Sequence, residues 1–148
     1  MKIKIINISD NNKHFKSAIE EYNKRLWKEL EIIDIKPIKS KSIDETINLE
    51  TEKIIKKIEK YNNFYKIILN KDWKKVSSFD IADFLENKRD IVFIIWWPYG
   101  LNYQNLLKYI DKEISFWNIT LPHWLAKLTL LEQIYRWDSI NKKKKYHY

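Results

Sequence analysis

A single glycine, Gly100, stands among 148 residues, in a chain that carries seven tryptophans. Glycine takes φ > 0 without a Cβ penalty, and average usage would supply about ten of them in a chain of this length. A chain with only one must turn on Asn, Asp, Ser and Pro, or set large side chains where small ones are expected. The tryptophans stand at such places. Trp73 lies in Asn70-Lys71-Asp72-Trp73-Lys74-Lys75, where Asp-Gly is the ordinary turn signal. Trp96 and Trp97 separate an apolar run from Pro98, while Trp117, Trp124 and Trp137 fall at further junctions or on a helix surface.

The length fits one domain spanning residues 1–148. Hydrophobic residues make up 45% of the chain, enough to bury a core and too many for a disordered segment. Lys and Arg number 28 against 20 Asp and Glu, leaving +8, which points either to a polyanionic partner or to a solvated coat of lysine. Cysteine is absent, so disulfides, thiolate metal sites and cysteine nucleophiles are excluded together, and neither metal nor redox chemistry is expected. The opening Met1-Lys2-Ile3-Lys4-Ile5-Ile6-Asn7-Ile8 is too short and too interrupted by lysine for a signal segment, and no apolar run approaches the roughly 18 residues of a membrane span. A cytoplasmic location with no membrane partner is the expectation.

Periodicity then divides the chain. Residues 2–8 read as a strand, and Phe15, Ile19, Tyr22 and Leu26 keep helical spacing after the turn residues Ser9-Asp10-Asn11-Asn12. A second strand runs from Leu30 toward Ile38, ended by Pro37 or just beyond. Ile47, Ile54, Ile55 and Ile58 predict a helix over 46–60, and Phe64 to Leu69 a buried strand. Ser77-Ser78 can cap a helix through Ala82 and Leu85, and Ile91-Val92-Phe93-Ile94-Ile95 is a central strand. A helix near 102–111, a short strand near Ile114 to Phe116 and a long helix from about Leu121 complete the reading. Strands alternating with helices predict an α/β fold with a mostly parallel sheet flanked by helices. No Gly-x-Gly-x-x-Gly or phosphate-binding loop is present.

Open α/β sheets bind ligands at the carboxyl ends of their strands. Two segments occupy such ends: Ile95-Trp96-Trp97-Pro98-Tyr99-Gly100-Leu101 and Phe116-Trp117-Asn118-Ile119-Thr120-Leu121-Pro122-His123. With Gly at the Trp positions, the first reads I-G-G-P-x-G-L. The second ends in T-L-P-H and is followed by Leu131-Glu132-Gln133-Ile134-Tyr135-Arg136 and, near the end, Tyr146-His147. Lys2 to Ile8, Glu21-Tyr22 with Lys24-Arg25-Leu26, and Leu69 to Ser78 extend the same pattern. In this order the motifs resemble the RlmH family of the SPOUT superfamily, which methylates N3 of a pseudouridine in large-subunit (23S) ribosomal RNA.

The resemblance implies a SPOUT-type α/β knot with a C-terminal trefoil, S-adenosyl-L-methionine as cofactor, and a homodimer acting on ribosomal RNA in the large subunit or assembled ribosome. Carried over residue by residue, it implies cofactor contacts from Leu69, Trp96, Trp97, Phe116, Trp117, Asn118, Ile119, Thr120 and Leu121. Methylation of a ring nitrogen requires loss of its proton, so a base, or a cation favouring the deprotonated ring, belongs near N3. His147, Tyr146 and Arg136 are the catalytic candidates, and His123, Arg136, Lys142, Lys143, Lys144 and Lys145 the RNA-binding ones. Two have structural readings as well: His123 as a helix-start residue that orients its loop, and Arg136 as the partner of Glu132 four positions earlier.

The chain departs from the family in two respects. Tyr148 follows His147 where a basic residue is usual, and Trp27, Trp73, Trp96, Trp97, Trp117, Trp124 and Trp137 stand where the family has Gly or another small residue. The glycine deficit and the tryptophan excess are together what results when UGA codons meaning Gly are read as Trp. Two rival readings are a non-catalytic basic RNA-binding protein whose aromatic side chains stack on bases, and a SPOUT methyltransferase with another RNA target.

Overall fold

The computed structural model describes residues 1–9, 15–26, 28–70, 72, 74–87, 89–95, 100–116 and 121–142. In chain order the elements are β1 (Ile3–Ile8), α1 (Lys16–Leu26), β2 (Leu30–Ile35), α2 (Ile43–Ile58) with a 3-10 turn (Glu59–Tyr61), and β3 (Tyr65–Leu69). They continue with α3 (Ser78–Glu86), β4 (Ile91–Ile95), α4 (Tyr103–Leu107), β5 (Lys112–Ile114) and α5 (His123–Asn141). The five strands form one sheet in the order β2-β1-β4-β3-β5, every pairing parallel.

Alternation along the strands divides the core between the two faces of the sheet. Ile3, Ile5, Ile67, Leu69, Phe93, Ile95 and Ile114 cluster with Ile81 and Leu85 of α3 and Leu130, Leu131 and Ile134 of α5. On the other face Ile6, Ile8, Ile68, Val92 and Ile94 cluster with Ile54 and Ile58 of α2 and Leu106 of α4. β4 contributes to both clusters and is buried throughout, as expected of a central parallel strand. No helix among the described residues is long and apolar enough to cross a membrane.

Local chemistry sets the helix starts. The Ser42 hydroxyl accepts from the Glu45 backbone N–H at 3.2 Å, so α2 begins at Ile43, a turn earlier than its apolar spacing predicts. Ser77 and Asp80 form a reciprocal capping box on α3.

Three further boundaries differ from expectation. β2 stops at Ile35, where its register with Ile8 of β1 ends. β5 lies earlier than Ile114 to Phe116, because Ile67, Ile68 and Leu69 pair with Lys112, Glu113 and Ile114, while Ser115 already bridges to Lys75. α4 is much shorter than 102–111: the Tyr109 and Ile110 N–H groups turn onto the Leu106 and Leu107 carbonyls at 3.0 Å, and the Asp111 N–H bonds Lys66, which starts the strand pairing. Phe15, just before α1, has φ 63, a left-handed conformation for a residue that carries a Cβ.

Candidate active site

Because all strands run parallel, their carboxyl ends lie on one edge of the sheet, and the strand order places those of β3, β4 and β5 side by side. Leu69 is in register with Ile95 on one side and Ile114 on the other, so it sits between the two segments singled out in the sequence. It is 7% exposed and belongs to the core cluster against which Phe116 packs. Gly100, at φ 88, takes a conformation that penalises any residue with a Cβ. Leu121 is half-buried and His123 is buried in the first turn of α5. Trp96, Trp97, Trp117, Asn118, Ile119 and Thr120 lie outside the described residues, as do Lys143, Lys144, Lys145, Tyr146 and His147.

Arg136 is engaged. Its Nε and Nη2 donate to Glu132 Oε1 at 3.1 and 2.9 Å, both side chains being partly buried. The structural reading of this pair is therefore realised, while the guanidinium stays partly open to solvent. Around it α1 and α5 assemble residues from the two ends of the chain. Tyr22 meets Tyr135 edge to face with ring centroids 5.7 Å apart. Arg25 lies 5.3 Å from the Tyr135 ring centre and donates to its hydroxyl at 3.3 Å. Burial, then the charge of Glu132, pushes the Tyr22 phenol above its ordinary value. The sequence reading placed Tyr22, Arg25 and Tyr135 in motifs without assigning them to a site; the i,i+3 spacing of Tyr22 and Arg25 on α1 was the available signal.

Lys142, at the end of α5, pairs with Asp138 at 2.5 Å and Glu29 at 3.5 Å. The Asp138 carboxylate holds its ammonium pKa above the usual lysine value. One turn beyond His123, Lys127 is buried and pairs with Asp34 of β2 at 3.2 Å, fastening the start of α5 to the far side of the sheet. At the other edge, the Glu113 carboxylate accepts from Asn70 Nδ2 at 3.2 Å and, after burial, pushes up the pKa of the neighbouring Tyr103 phenol. Neither group was legible from spacing, because each joins residues distant in sequence.

Two of the seven tryptophans fall within the described residues. The buried indole N–H of Trp137 has no hydrogen-bond partner, and Trp124 stacks on Phe15 with ring centroids 4.6 Å apart. An unmet buried donor is unfavourable.

Comparison with known proteins places this arrangement. The family described as "Predicted SPOUT methyltransferase" matches residues 1–147. The chain is 35% identical over 156 residues to the ribosomal RNA large subunit methyltransferase H of Fusobacterium nucleatum, covering 99% of each chain. It is 34% identical over 149 residues to that of Metamycoplasma arthritidis and 38% over 161 residues to that of Alkaliphilus oremlandii, again covering 99% of each. Among solved structures it resembles the tRNA (m1G37) methyltransferase from Aquifex aeolicus, with a TM-score of 0.52 and 15% identity over 92% of this chain and 70% of that one, a likeness of fold alone. With a full-length family match and relatives alike from end to end, this chain belongs to the SPOUT methyltransferases, in the ribosomal RNA large subunit methyltransferase H family.

Proposed function

We propose that this chain is an S-adenosyl-L-methionine-dependent enzyme that methylates N3 of a pseudouridine in 23S ribosomal RNA. It works as a homodimer of one domain, residues 1–148, whose C-terminal part forms a trefoil knot. The observation that carries the reading is the register of Leu69 with Ile95 and Ile114, which gathers three strand ends at one place in a chain alike end to end to these methyltransferases.

The residues there suit the cofactor. Leu69, Phe116 and Leu121 are apolar and partly or fully withdrawn from solvent, matching the adenine ring and the carbon chain of the methionine part. Bound there, the cofactor supplies a methyl group on a positively charged sulfur. Backbone groups at Trp96, Trp97, Trp117, Asn118, Ile119 and Thr120 hold its polar parts, and the apolar side chains exclude water. His147 or Tyr146 takes the N3 proton, and the positive charge of Arg136 favours the deprotonated ring. Lys142 to Lys145 meet the RNA backbone, a contact that weakens as salt rises, and His123 orients the adjoining loop toward the RNA.

The test is calorimetric titration of S-adenosyl-L-methionine into the chain as it stands and into a variant with Gly at all seven Trp positions. Binding by the Gly variant, with methyl transfer to large subunits lacking this modification, is the expected result. Two folded proteins that both fail to bind would overturn the assignment. Binding without methyl transfer to ribosomal RNA would leave the fold and cofactor and move the target elsewhere.

A further inference from the structure

Three segments that the proposed cofactor site needs to hold together meet at one carboxylate. Asn70 follows Leu69 out of β3, Tyr103 opens α4 after the stretch that leaves β4, and Glu113 lies on β5, three residues before Phe116. Glu113 Oε2 accepts from Asn70 Nδ2 at 3.2 Å, and the Tyr103 phenol lies beside both groups, close enough for the Glu113 carboxylate to push its pKa up. The backbone reinforces the first junction, with the Asn70 N–H on the Ile114 carbonyl at 2.8 Å. The Tyr103 phenol, pushed up to about 12 chiefly by burial and then by Glu113, remains a hydrogen donor throughout the working pH range.

β5 needs such a tie. It is a three-residue edge strand paired on one side to β3, so little ladder holds the chain that enters the 116–121 segment. The start of α4 is held separately, by the Asn102 N–H on Thr51 Oγ1 at 2.8 Å and by Asn102 Nδ2 on Asn48 at 3.0 Å. α4 is thereby anchored to α2, and the Tyr103–Glu113 contact passes that anchorage on to β5. A ligand gripped by backbone from several loops binds tightly only when the loops are already at the right spacing, because ordering them on binding subtracts from affinity.

Resting on the proposed cofactor site, we infer that Asn70, Tyr103 and Glu113 form a positioning cluster. It sets the spacing of the three cofactor-holding segments without touching the cofactor. In this role Glu113 acts as a hydrogen-bond acceptor and not as a counter-charge to the ligand.

The test compares the parent with Glu113→Ala, Glu113→Gln and Tyr103→Phe. Affinity is measured for S-adenosylmethionine and for S-adenosylhomocysteine, which lacks the charged methylsulfonium, and amide exchange is measured on the cofactor-free proteins. Glu113→Ala is expected to weaken both ligands by the same factor, about tenfold, and to raise exchange together at residues 69–70, 102–103 and 113–115. Glu113→Gln keeps an acceptor for the Tyr103 hydroxyl and should recover most of the affinity. Selective loss of S-adenosylmethionine would overturn positioning in favour of direct charge contact. Unchanged affinity, or faster exchange in β5 alone, would overturn the inference outright. The substitutions are made in whichever of the chain as it stands and its seven-Gly variant binds; if neither binds either ligand, the proposed function falls while the exchange measurement still decides whether the cluster ties the segments. If Glu113→Ala does not fold, Tyr103→Phe, which removes one hydroxyl, carries the same comparison.

Discussion

Replacing Arg136 by Ala separates the two roles open to that side chain. With Nη2 2.9 Å from Glu132 Oε1, the gross attraction is about 6 kcal/mol at an effective dielectric constant of about 20. Desolvation and the ordering of two long side chains offset most of this, and i,i+4 pairs on helices retain about 0.3–0.5 kcal/mol. The Arg136 and Glu132 side chains are 31% and 22% exposed, which places the pair toward the upper end of what such contacts contribute, about 1 kcal/mol. In a chain of this size that lowers Tm by about 2–4 °C and leaves nearly all molecules folded at 25 °C. Were the ion pair its only role, Arg136→Ala would therefore keep wild-type activity. If Arg136 stabilises the deprotonated ring or holds an RNA phosphate, methyl transfer falls about 100-fold, equivalent to about 2.7 kcal/mol of transition-state stabilisation. The assay is steady-state transfer of labelled methyl groups to large subunits or ribosomes, beside urea unfolding of the same proteins. Glu132→Gln, which weakens the pair but leaves the guanidinium, should cost similar stability and much less activity. Activity of Arg136→Ala within threefold of the parent would refute the catalytic reasoning, and a stability loss of about 3 kcal/mol or more would refute the estimate of the pair.

Other expectations concern buried charge and the tryptophans. The buried Glu50 accepts the Ile38 N–H at 2.9 Å through Oε1, while Oε2 has no partner, and burial pushes its carboxyl above the usual range. A raised folded pKa means that the stability tied to the protonated form is complete below the unfolded value and lost as pH rises through the folded one. Glu50→Gln should therefore raise Tm at pH 7 by about 2–4 °C, about 1 kcal/mol, with the gain fading toward pH 4; a gain that grows with acidification would contradict this. Lys127 is buried while its partner Asp34 is 41% exposed, so solvent screens the pair in part, and Lys127→Met should cost under about 1 kcal/mol in urea unfolding. Asp34→Ala should cost more than Lys127→Met, about 1–2 kcal/mol, since it leaves a buried ammonium without its carboxylate, and equal costs would show that the pair is effectively solvated. Reading the gene should find TGA at the seven Trp positions, whereas TGG there would establish genuine tryptophans.

Much of the fold was legible because it depends on neighbours in sequence. The unbroken apolar run Ile91-Val92-Phe93-Ile94-Ile95 could only be a strand buried on both faces, and Ser77 marked the start of α3 by the hydrogen bond its side chain offers. Of the boundaries that shifted, those at Ile35, Leu107 and Ile114 are set by a partner strand or by the return of the chain to the sheet, and the start of α2 by the Ser42 cap. The two segments following β4 and β5 were recognisable from their motifs, and Leu69 as a site residue was implied by the family resemblance alone.

What the sequence by itself determined was the alternation of strands and helices, the family to which the motifs point, and the residue types available at each strand end. The tertiary structure alone decided the order β2-β1-β4-β3-β5, which puts Leu69 between the ends of β4 and β5. It also decided the meeting of Tyr22 and Arg25 with Tyr135, of Lys127 with Asp34, and of Asn70 and Tyr103 with Glu113. The physical reason is range. Periodicity and capping are interactions between residues a few positions apart, whereas strand order and buried polar contacts follow from how separate elements bury their apolar faces against one another, and only then do side chains far apart in the chain come within bonding distance.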